Sequence, residues 1–361
     1  MNFLKKPVIS VILFSLIYIA AASLVHLLVG SSGLIGPFFS TYTTWKVILY
    51  VCIMTHITIT CMSLSFHRYH THKGVVLNKI TDSLMQTWLW LITSMCKLDW
   101  VSVHMYHHMH SDHEKDPHSP QQKGLIHVFF LGAWDYNKAK NSPEVQKIRN
   151  RLPVNKMEKF YSENLLLGPA LIVFSSLLIF GPFWGSILAV INFLLSPIFA
   201  VGGVNAIAHY IGYKNHKTTD NSRNIGFLFI LNFLICGELD HNNHHAHQKS
   251  CSFRHKWYEF DIGYFYIKIM SYFKLADIRT VYNPKKFKKE LAEKALRLLE
   301  VDYKFQERFE KLSAELNQNM NDLKNEMALY LEGKKHQLQK PAKRFAKEVK
   351  AYIKQQAAIQ F

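Results

Sequence analysis

Histidines are concentrated in one short stretch in the first third of the chain. Between Asp99 and His118 the sequence DWVSVHMYHHMHSDHEKDPH contains six histidines. Because residues i, i+3 and i+4 share one face of a helix, the spacing HxxHH allows His104, His107 and His108 to point at a common centre. Three imidazoles on one helix face predict a metal site.

Two further histidine clusters accompany the first. HNNHH repeats the spacing as His241, His244 and His245, and HRYHTH places His67 and His72 five residues apart. Neutral imidazole suits iron, zinc, copper and nickel, whereas magnesium and calcium prefer oxygen ligands. A structural zinc site closes with four ligands, so three clusters are too many for one such site. Eight or nine imidazoles can hold two redox-active metals with open positions, which predicts O2 activation.

A ninth candidate ligand lies where an apolar segment ends. Within GGVNAIAHYIGY, Asn205 and His209 are four residues apart and therefore share a helix face. The asparagine partner and the position at the end of a predicted membrane span make His209 a candidate ligand. His26 and His56 lie inside predicted spans without such a partner, and we expect them to be hydrogen-bonded packing residues.

Four apolar segments are close to the ~20 residues that a helix needs to cross a bilayer. They cover about residues 8–30, 45–66, 165–181 and 184–208. Shorter apolar runs at residues 84–96, 225–236 and 262–273 predict interfacial or buried helices. The sequence therefore predicts an all-α, multi-pass integral membrane protein.

Lysine and arginine are distributed unevenly around the predicted spans. Lys5 and Lys6 precede the first span, residues 31–44 carry no charge, and the segments after the second and fourth spans are rich in both residue types. Such basic segments lie on the cytoplasmic side of membranes. This predicts that both termini and all three histidine clusters are cytoplasmic, so that the clusters can form one site.

The chain carries a formal net charge of +17. Such a charge could indicate nucleic-acid binding, but in a membrane protein the expected partners are anionic lipid headgroups or an anionic head of the substrate. No nucleic acid is expected as a partner. The five cysteines are scattered and lack the spacing of a metal or disulfide motif.

The composition changes after the turn signal at Asn283-Pro284. Residues 285–361 are charged and rich in glutamine, and they predict a basic helical C-terminal extension of a membrane domain that covers residues 1–284. The extension could contact the membrane surface or an acidic electron-transfer partner. It could equally be a solvated helical tail.

As a set, these motifs resemble those of the membrane fatty acid desaturases, and within them the acyl-CoA Δ9 (stearoyl-CoA) branch. That branch carries HRxxxH, HxxHH followed by Asp-Pro-His, NxxxH and GExxHNxHH. The corresponding segments here are residues 67–72, 104–118, 205–209 and 237–245. The resemblance covers roughly residues 55–269, and residues 285–361 have no counterpart in it.

The resemblance implies four transmembrane helices below a cytoplasmic helical cap, which holds a di-iron centre beside a bent apolar tunnel for an acyl chain. Asn205 would bind metal through water. The nine implied iron ligands are His67, His72, His104, His107, His108, His209, His241, His244 and His245.

Other polar residues of these segments have no ligand counterpart in the family. We expect His70, His110, His113, His118 and His247 to lie around the site or on the surface. Glu238, Asp240, Asp112 and Asp116 are expected either to accept hydrogen bonds from ligand imidazoles or to be solvated loop acids.

The implied reaction is the O2-dependent insertion of a cis double bond, at the Δ9 position, into a saturated fatty acyl thioester. Acyl-CoA is the expected substrate, and acyl carrier protein or phospholipid as the carrier stays open. The HPGG signature of a fused cytochrome b5 domain is absent, so a separate reductase, ferredoxin or cytochrome b5-like protein would donate electrons. The alternatives are a membrane di-iron alkane or fatty acid hydroxylase and, in another class, a histidine-rich metal transporter.

Overall fold

The computed structural model describes residues 7–34, 43–287 and 289, and most of these residues are helical. The chain divides into two compact units, Met1–Thr280 and Val281–Phe361. All nine candidate histidines belong to the first unit. The helical extension predicted for residues 285–361 lies almost entirely outside the described residues and stays a prediction.

Among its described residues, the first unit has twelve α-helices and one two-stranded sheet. The helices are α1 Pro7–Val29, α2 Thr43–Cys61, α3 Lys79–Thr93, α4 Lys97–His110, α5 Pro120–Lys123, α6 Leu125–Lys140, α7 Pro143–Arg149, α8 Lys156–Glu163, α9 Leu167–Pro197, α10 Phe229–Leu234, α11 His241–Ala246 and α12 Ile262–Tyr272. Wider π-helical turns cover Met62–Thr71 and Ile198–Ala206, a 3-10 turn covers Ile207–His209, and the strands are β1 Val75–Leu77 and β2 Ala276–Ile278.

Two helical stretches in the described residues are long and apolar enough to cross a membrane. They are Trp45–Thr71 and Leu167–Leu195, each with a mean hydropathy of 2.0, and Ser15–Val29 is a shorter apolar helix. Together these stretches overlap all four apolar segments of the sequence. They support membrane association, while the number of crossings stays a prediction.

Helix α9 is broken in the middle by a glycine. Gly181 has φ 78° and ψ 165°, a backbone conformation that favours glycine. A Cβ atom at this position would lie 2.2 Å from the backbone oxygen of Ser31. The neighbouring turn is tied to α9 by the backbone N–H of Leu34, which donates to the Leu178 carbonyl at 3.0 Å. The break falls between the third and fourth apolar segments of the sequence.

Helices α3, α10 and α12 occupy the three shorter apolar runs. Each leaves large apolar side chains uncovered, including Ile80 at 73%, Ile230 at 83% and Tyr272 at 83% exposure. Helix α10 has only six residues, fewer than the run predicts, because Leu228 and Ile235 have non-helical backbone angles at its two ends. The sequence predicted interfacial or buried helices here; the exposed apolar faces favour the interfacial position, which stays a prediction.

The short sheet joins two distant parts of the chain. Strand β1 pairs antiparallel with β2, with Val75 opposite Ile278 and Leu77 opposite Ala276. Val75 is completely buried and packs in a core shared with α10 and α12. The sheet therefore fixes the end of α12 beside the segment that follows the first π-helical turn.

A buried arginine connects four segments of the first unit. Arg68, only 1% exposed, donates to both carboxylate oxygens of Asp261 at 2.8 and 3.0 Å. Its remaining N–H groups donate to the carbonyls of Cys251 and Cys236, both at 2.8 Å, and to the Ser63 hydroxyl at 3.1 Å. All five guanidinium N–H groups are thus satisfied by protein atoms.

The partners of Arg68 are themselves fixed. The Asp261 carboxylate also accepts from the backbone N–H of Tyr264, as the N-cap of α12, and from that of Phe253. The Phe253 ring lies 3.8 Å from the guanidinium carbon of Arg68, a favourable cation–π position. The arginine therefore holds the first π-helical turn against α12 and the loop before it.

Replacing Arg68 by methionine should destabilise the protein strongly. Removing one partner of a buried ion pair leaves an uncompensated charge on Asp261 and costs about 3–5 kcal/mol of the free energy of unfolding. The matched control is Arg279→Met, since Arg279 and Asp277 form an ion pair at the surface, with 57% and 61% exposed side chains, and such pairs contribute about 0–1 kcal/mol. Thermal unfolding in detergent micelles measures both, and equal melting temperatures for the two variants would contradict the role given to Arg68.

Candidate metal centre

The first π-helical turn brings His67 and His72 together. In a regular α-helix two residues five positions apart differ by about 140° in direction. Here the backbone N–H of His72 donates to the carbonyl of His67 at 3.1 Å, which closes a wider i→i+5 turn. The two imidazole ring centres are consequently only 4.9 Å apart. The π-helical turn therefore positions the site, because it places the His67 and His72 side chains on the same side of the helix.

Helix α4 divides its HxxHH motif between two centres. His104 and His108 are four residues apart and face the same way, whereas His107 and His108 differ by about 100° around the helix. Helix α11 does the same, with His244 facing one centre and His241 and His245 facing the other. The expectation that His104, His107 and His108 point at one common centre is therefore wrong, because α4 is rotated so that the two sides of their shared face look at different centres.

The nine candidate histidines form two buried clusters. Within each cluster, one nitrogen from every histidine lies within 4.8 Å of the others. The first cluster consists of His67, His72, His104, His108 and His244, and the second cluster consists of His107, His209, His241 and His245. The structure thus brings together all nine residues, as five and four.

In the first cluster the Nε2 atoms converge. The Nε2 atom of His244 lies 3.0 Å from those of His67 and His108. The Nε2 atom of His104 lies 3.0 Å from that of His108 and 3.2 Å from that of His72. A neutral imidazole presents one donor and one acceptor, so these contacts cannot all be hydrogen bonds. The donor set suits one cation placed among the Nε2 lone pairs.

In the second cluster the Nε2 atoms also point inward. The Nε2 atoms of His241 and His245 are 3.1 Å apart. Those of His107 and His209 are buried without a hydrogen-bond partner. The Nε2 lone pairs of His107 and His209 are thus unused, and they lie beside the close Nε2 pair of His241 and His245. Four lone pairs around one space fit a second cation.

Carboxylates fix the orientation of four of these imidazoles. His107 Nδ1 donates to Asp116 at 2.8 Å, and His209 Nδ1 donates to Asp112 at 2.9 Å. These bonds place the proton on Nδ1 and leave the Nε2 lone pair free, as in metal-bound histidines. Asp112 and Asp116 are thus the acceptors that the sequence led us to expect.

Two further carboxylates act in the same way. His67 Nδ1 donates to Glu238 at 3.0 Å, as expected, and His245 Nδ1 donates to Asp220 at 2.8 Å. Sequence reasoning missed Asp220, which lies in the polar loop KTTDNS without a motif to mark it. Asp240 was expected to be either such an acceptor or a solvated loop acid, but in the structure it is buried and accepts from the side-chain amide of Asn232.

Burial keeps most histidines of the site neutral, although at His107 the carboxylates of Asp116 and Asp112 outweigh it and raise the pKa. Burial lowers the pKa values of His104, His108, His241 and His244 well below their usual range, and the charges of neighbouring imidazoles lower them further. The pKa of His245 falls to about 4 for the same main reason. Neutral imidazoles have a free lone pair, so no proton has to leave these residues before a metal binds.

The four acids remain charged. Burial alone would raise the pKa values of Asp112, Asp116, Asp220 and Glu238, but their histidine partners outweigh it and hold these pKa values below the usual range. These four carboxylates supply negative charge beside the two clusters. This charge favours the binding of divalent cations.

A cavity of about 360 Å³ lies against the clusters. His67, His104 and His241 line it on one side, together with Asn205. Most of its remaining lining is apolar and includes Ile59, Met62, Val103, Phe193, Val201 and Val204. The arrangement places a space suited to an apolar ligand next to the two histidine clusters.

The other histidines have structural environments of their own. His56 bonds to the Leu234 carbonyl at 3.0 Å and to the Tyr266 hydroxyl at 2.8 Å, which confirms the packing role predicted for it. His70 pairs with Asp82 at 2.9 Å. Neither His56 nor His70 belongs to a histidine cluster of the metal centre.

The protein is mostly helical and membrane-associated. It has two histidine clusters that could each hold a metal ion, and an apolar cavity lies beside them. Residues 43–262 match the sequence profile of a family described as "Fatty acid desaturase", and the chain belongs to this family. It is accordingly an oxidoreductase with a fatty acyl substrate.

Relatives at moderate identity carry related names. The chain is 28% identical to Delta-9 acyl-lipid desaturase 2 of Arabidopsis thaliana over 254 residues, which are 69% of this chain and 78% of the relative. It is 30% identical to the Delta-9 desaturase-like 2 protein of the same plant over 256 residues, 67% of this chain and 77% of the relative. An Acyl-CoA C20 Delta5-desaturase of Anemone leveillei is 30% identical over 227 residues, 59% and 67% of the two chains.

Replacing Asp116 or Asp220 by asparagine should weaken metal binding while the ligands stay in place. Loss of an acceptor that orients a ligand imidazole typically costs about 10–100-fold in metal affinity. Competition with a chelator, followed by elemental analysis of the protein, measures the change. Asp277→Asn, on the exposed strand β2, is the control and should leave the affinity unchanged. Equal metal retention in all three variants would show that these carboxylates do not orient ligands.

Proposed function

We propose that this protein is an O2-dependent fatty acyl desaturase that inserts a cis double bond, at the Δ9 position, into a saturated acyl-CoA. One observation carries the proposal. Nine imidazoles, divided as five and four, direct Nε2 atoms at two neighbouring centres beside an apolar cavity. Membership of the fatty acid desaturase family supports the same reaction class.

The proposed cofactor is a pair of iron ions. The first cluster would hold one ion through five imidazoles, and the second cluster would hold the other through four, with Asn205 bound through water. Asn205 lines the cavity with His241, which supports this role. When bound, two ferrous ions together with O2 supply an oxidant strong enough to remove hydrogen from a methylene group.

The reaction requires such an oxidant because the methylene C–H bonds of a saturated chain have no acidity that a general base could use. Two electrons from the substrate and two from a separate donor reduce O2 to two water molecules. A reductase, a ferredoxin or a cytochrome b5-like protein would act as the donor. The chain's own contribution is therefore the placement of the substrate and the orientation of the ligands.

Several side chains make these contributions directly. The apolar cavity lining excludes water and fixes which carbons lie near His67, His104 and His241. Trp100 stacks on His104 with ring centres 4.6 Å apart and also lines the cavity, so it couples ligand position to the substrate space. Lys140 lies on the same cavity and offers a positive charge to the phosphate-bearing head of coenzyme A.

The proposed membrane arrangement has four crossings with both termini and the metal centre on the cytoplasmic side. The crossings would be α1, the stretch Trp45–Thr71, and the two halves of α9 on either side of Gly181. An even number of crossings lies between the first π-helical turn and the later clusters, which allows them to meet on one face. The uneven distribution of lysine and arginine supports the orientation.

The direct test follows the product of a labelled substrate. The protein is expressed in a bacterial host fed deuterated stearate, with and without air, and the fatty acids are analysed by mass spectrometry with localisation of the double bond. We expect deuterated oleate only in air, and none from His108→Ala because this change removes a first-cluster imidazole. His110→Ala, on the same helix but outside both clusters, is the matched control and should retain activity.

The products also separate the alternatives. A hydroxylated stearate would indicate the hydroxylase instead of the desaturase. No product from iron-loaded membranes that contain a competent electron donor would refute the stearoyl substrate. Metal uptake into vesicles without any lipid product would favour a transporter.

The cavity makes a second prediction about the substrate. Ala133 on α6 lines the cavity, and an indole at this position would occupy much of the apolar space. Ala133→Trp should therefore lower the rate on stearate by about tenfold or more and favour shorter chains, because a large side chain cannot be added to a filled space without cost. Ala139→Trp, on the same helix but outside the cavity lining, is the control. Equal chain-length profiles in competition assays would place the acyl chain elsewhere.

A further inference from the structure

Two surface loops lie against the second cluster of the metal centre. The first loop covers residues 212–223, and its Asp220 accepts a hydrogen bond from Nδ1 of His245 at 2.8 Å. The second loop covers residues 247–259 and begins directly after α11, the helix that carries His241 and His245. Both loops therefore connect the protein surface to candidate metal ligands over a short distance.

The two loops are joined into one surface. Nε2 of His216 in the first loop and Nδ1 of His255 in the second are hydrogen-bonded at 2.7 Å. The hydroxyl of Tyr213 donates to the carboxylate of Glu259 at 2.9 Å, which is a second link between the loops. The backbone N–H of His216 donates to the side chain of Asn242 in α11 at 2.8 Å. The surface is thus fixed to the helix that carries the second cluster.

The loops direct positive charge outward and negative charge inward. Together they contain six lysines and arginines but only two acids. The carboxylate side chain of Asp220 is 10% exposed and Glu259 is 2% exposed, and both accept hydrogen bonds from inside the protein. The exposed cations, called the basic face here, are Lys214, Lys217, Arg254 and Lys256. Such a surface attracts a negatively charged partner.

Two exposed aromatic side chains border the basic face. Trp257 is 84% exposed and Tyr258 is 54% exposed. The guanidinium of Arg254 donates to the carbonyls of Lys256 and Trp257 at 3.2 and 3.0 Å, which fixes the turn that presents them. Tryptophan, tyrosine and arginine are enriched in protein–protein interfaces and carry much of the binding energy there. The composition therefore suits a protein partner.

A lipid surface is a poorer fit to the basic face. Residues 212–223, all of which the structure describes, expose no apolar side chain. Binding in the membrane interface requires apolar area that can enter the headgroup region. Helix α10 has such area, since Phe229 is 54% and Ile230 83% exposed. The partner of the basic face is thus expected in water and not in the bilayer.

We propose that the basic face is the docking surface for the separate electron donor, a one-electron carrier protein with an acidic surface around its redox group. The inference rests on the proposed function, because desaturation takes two electrons from a donor for each double bond. Each docking event oxidises one carrier and reduces the metal centre by one electron, so two events serve one turnover. Opposite charges speed the encounter and orient the carrier.

The place of the basic face suits this role. Electron transfer through protein slows steeply with distance, and a carrier docked on the two loops lies over the second cluster. Interfaces of electron carriers are small and short-lived, which lets the oxidised carrier leave before the next one arrives. A surface of four cations and two aromatic side chains has the size for such a contact.

The test follows the reduction of the iron-loaded, oxidised protein in detergent by stopped-flow absorption, without acyl substrate. The probes are an acidic plant-type ferredoxin and the acidic soluble domain of a cytochrome b5, each supplied in the reduced form. Dithionite serves as a small reductant that needs no docking surface. With at least one carrier we expect a second-order rate constant that falls as salt is added, because salt screens the attraction between exposed charges.

Charge reversal on the basic face should slow this reduction. Lys217→Glu/Lys256→Glu should lower the rate constant with the carrier by about tenfold or more at low salt, while the rate with dithionite and the iron content stay unchanged. The matched control is Lys147→Glu/Lys156→Glu, which makes the same change of net charge at exposed positions of α7 and α8 and should behave as the unaltered protein. Trp257→Ala should weaken the affinity for the carrier without changing the salt dependence, because apolar contact area is lost.

Three outcomes would overturn the proposal. The first is that dithionite reduces the protein and neither carrier does. The second is that both charge-reversal variants are slowed equally, or that salt has no effect on the rate. The third is that the variant on the basic face accepts electrons normally and loses only its binding to phosphatidylglycerol in mixed micelles, which would make the face a lipid surface.

The same measurement separates this inference from the proposed function. Reduction is measured without acyl substrate and therefore does not depend on the desaturase reaction. A protein that takes electrons through the basic face and forms no double bond would contradict the proposed function alone. A desaturase whose reduction is insensitive to the basic face would contradict this inference alone.

Discussion

Nitrogen lone pairs that face one another in a buried space are the constraint on which the structure depends. In the first cluster the facing Nε2 atoms are only 3.0–3.2 Å apart, and neutral imidazoles cannot satisfy all these contacts with their own protons. A cation at each centre would attract the Nε2 lone pairs that otherwise face one another unfavourably. Without them, packing has to hold the helices together, and the Arg68–Asp261 ion pair and the β1–β2 sheet do so from outside the clusters.

The two centres are mechanically linked because the same helices supply both. Helix α4 gives two imidazoles to the first cluster and one to the second. Helix α11 gives one imidazole to the first cluster and two to the second. A rotation of either helix would therefore disturb both centres together. The distance between the centres is determined by the helical repeat and is largely independent of the loops. A reaction that needs two metals at a constant spacing benefits from such an arrangement.

Hydropathy was sufficient to predict a mostly helical, membrane-associated protein, and the nine histidines that the family resemblance implied do lie together in the structure, while their role as ligands stays a prediction. The division into five and four was not predictable, because it depends on how α4 and α11 are rotated against each other. Asp220 carried no signal in its loop, whereas Asp240, expected as an acceptor for a ligand imidazole or as a solvated acid, bonds to Asn232. Long-range packing, which a single sequence does not display, decided each of these cases.

Arg68 directly follows His67, and all five of its N–H groups are satisfied by protein atoms. The segment that carries His67 and His72 is consequently anchored by contacts in which no metal takes part. Folding in the membrane and acquisition of metal can then be separate events in the maturation of the enzyme.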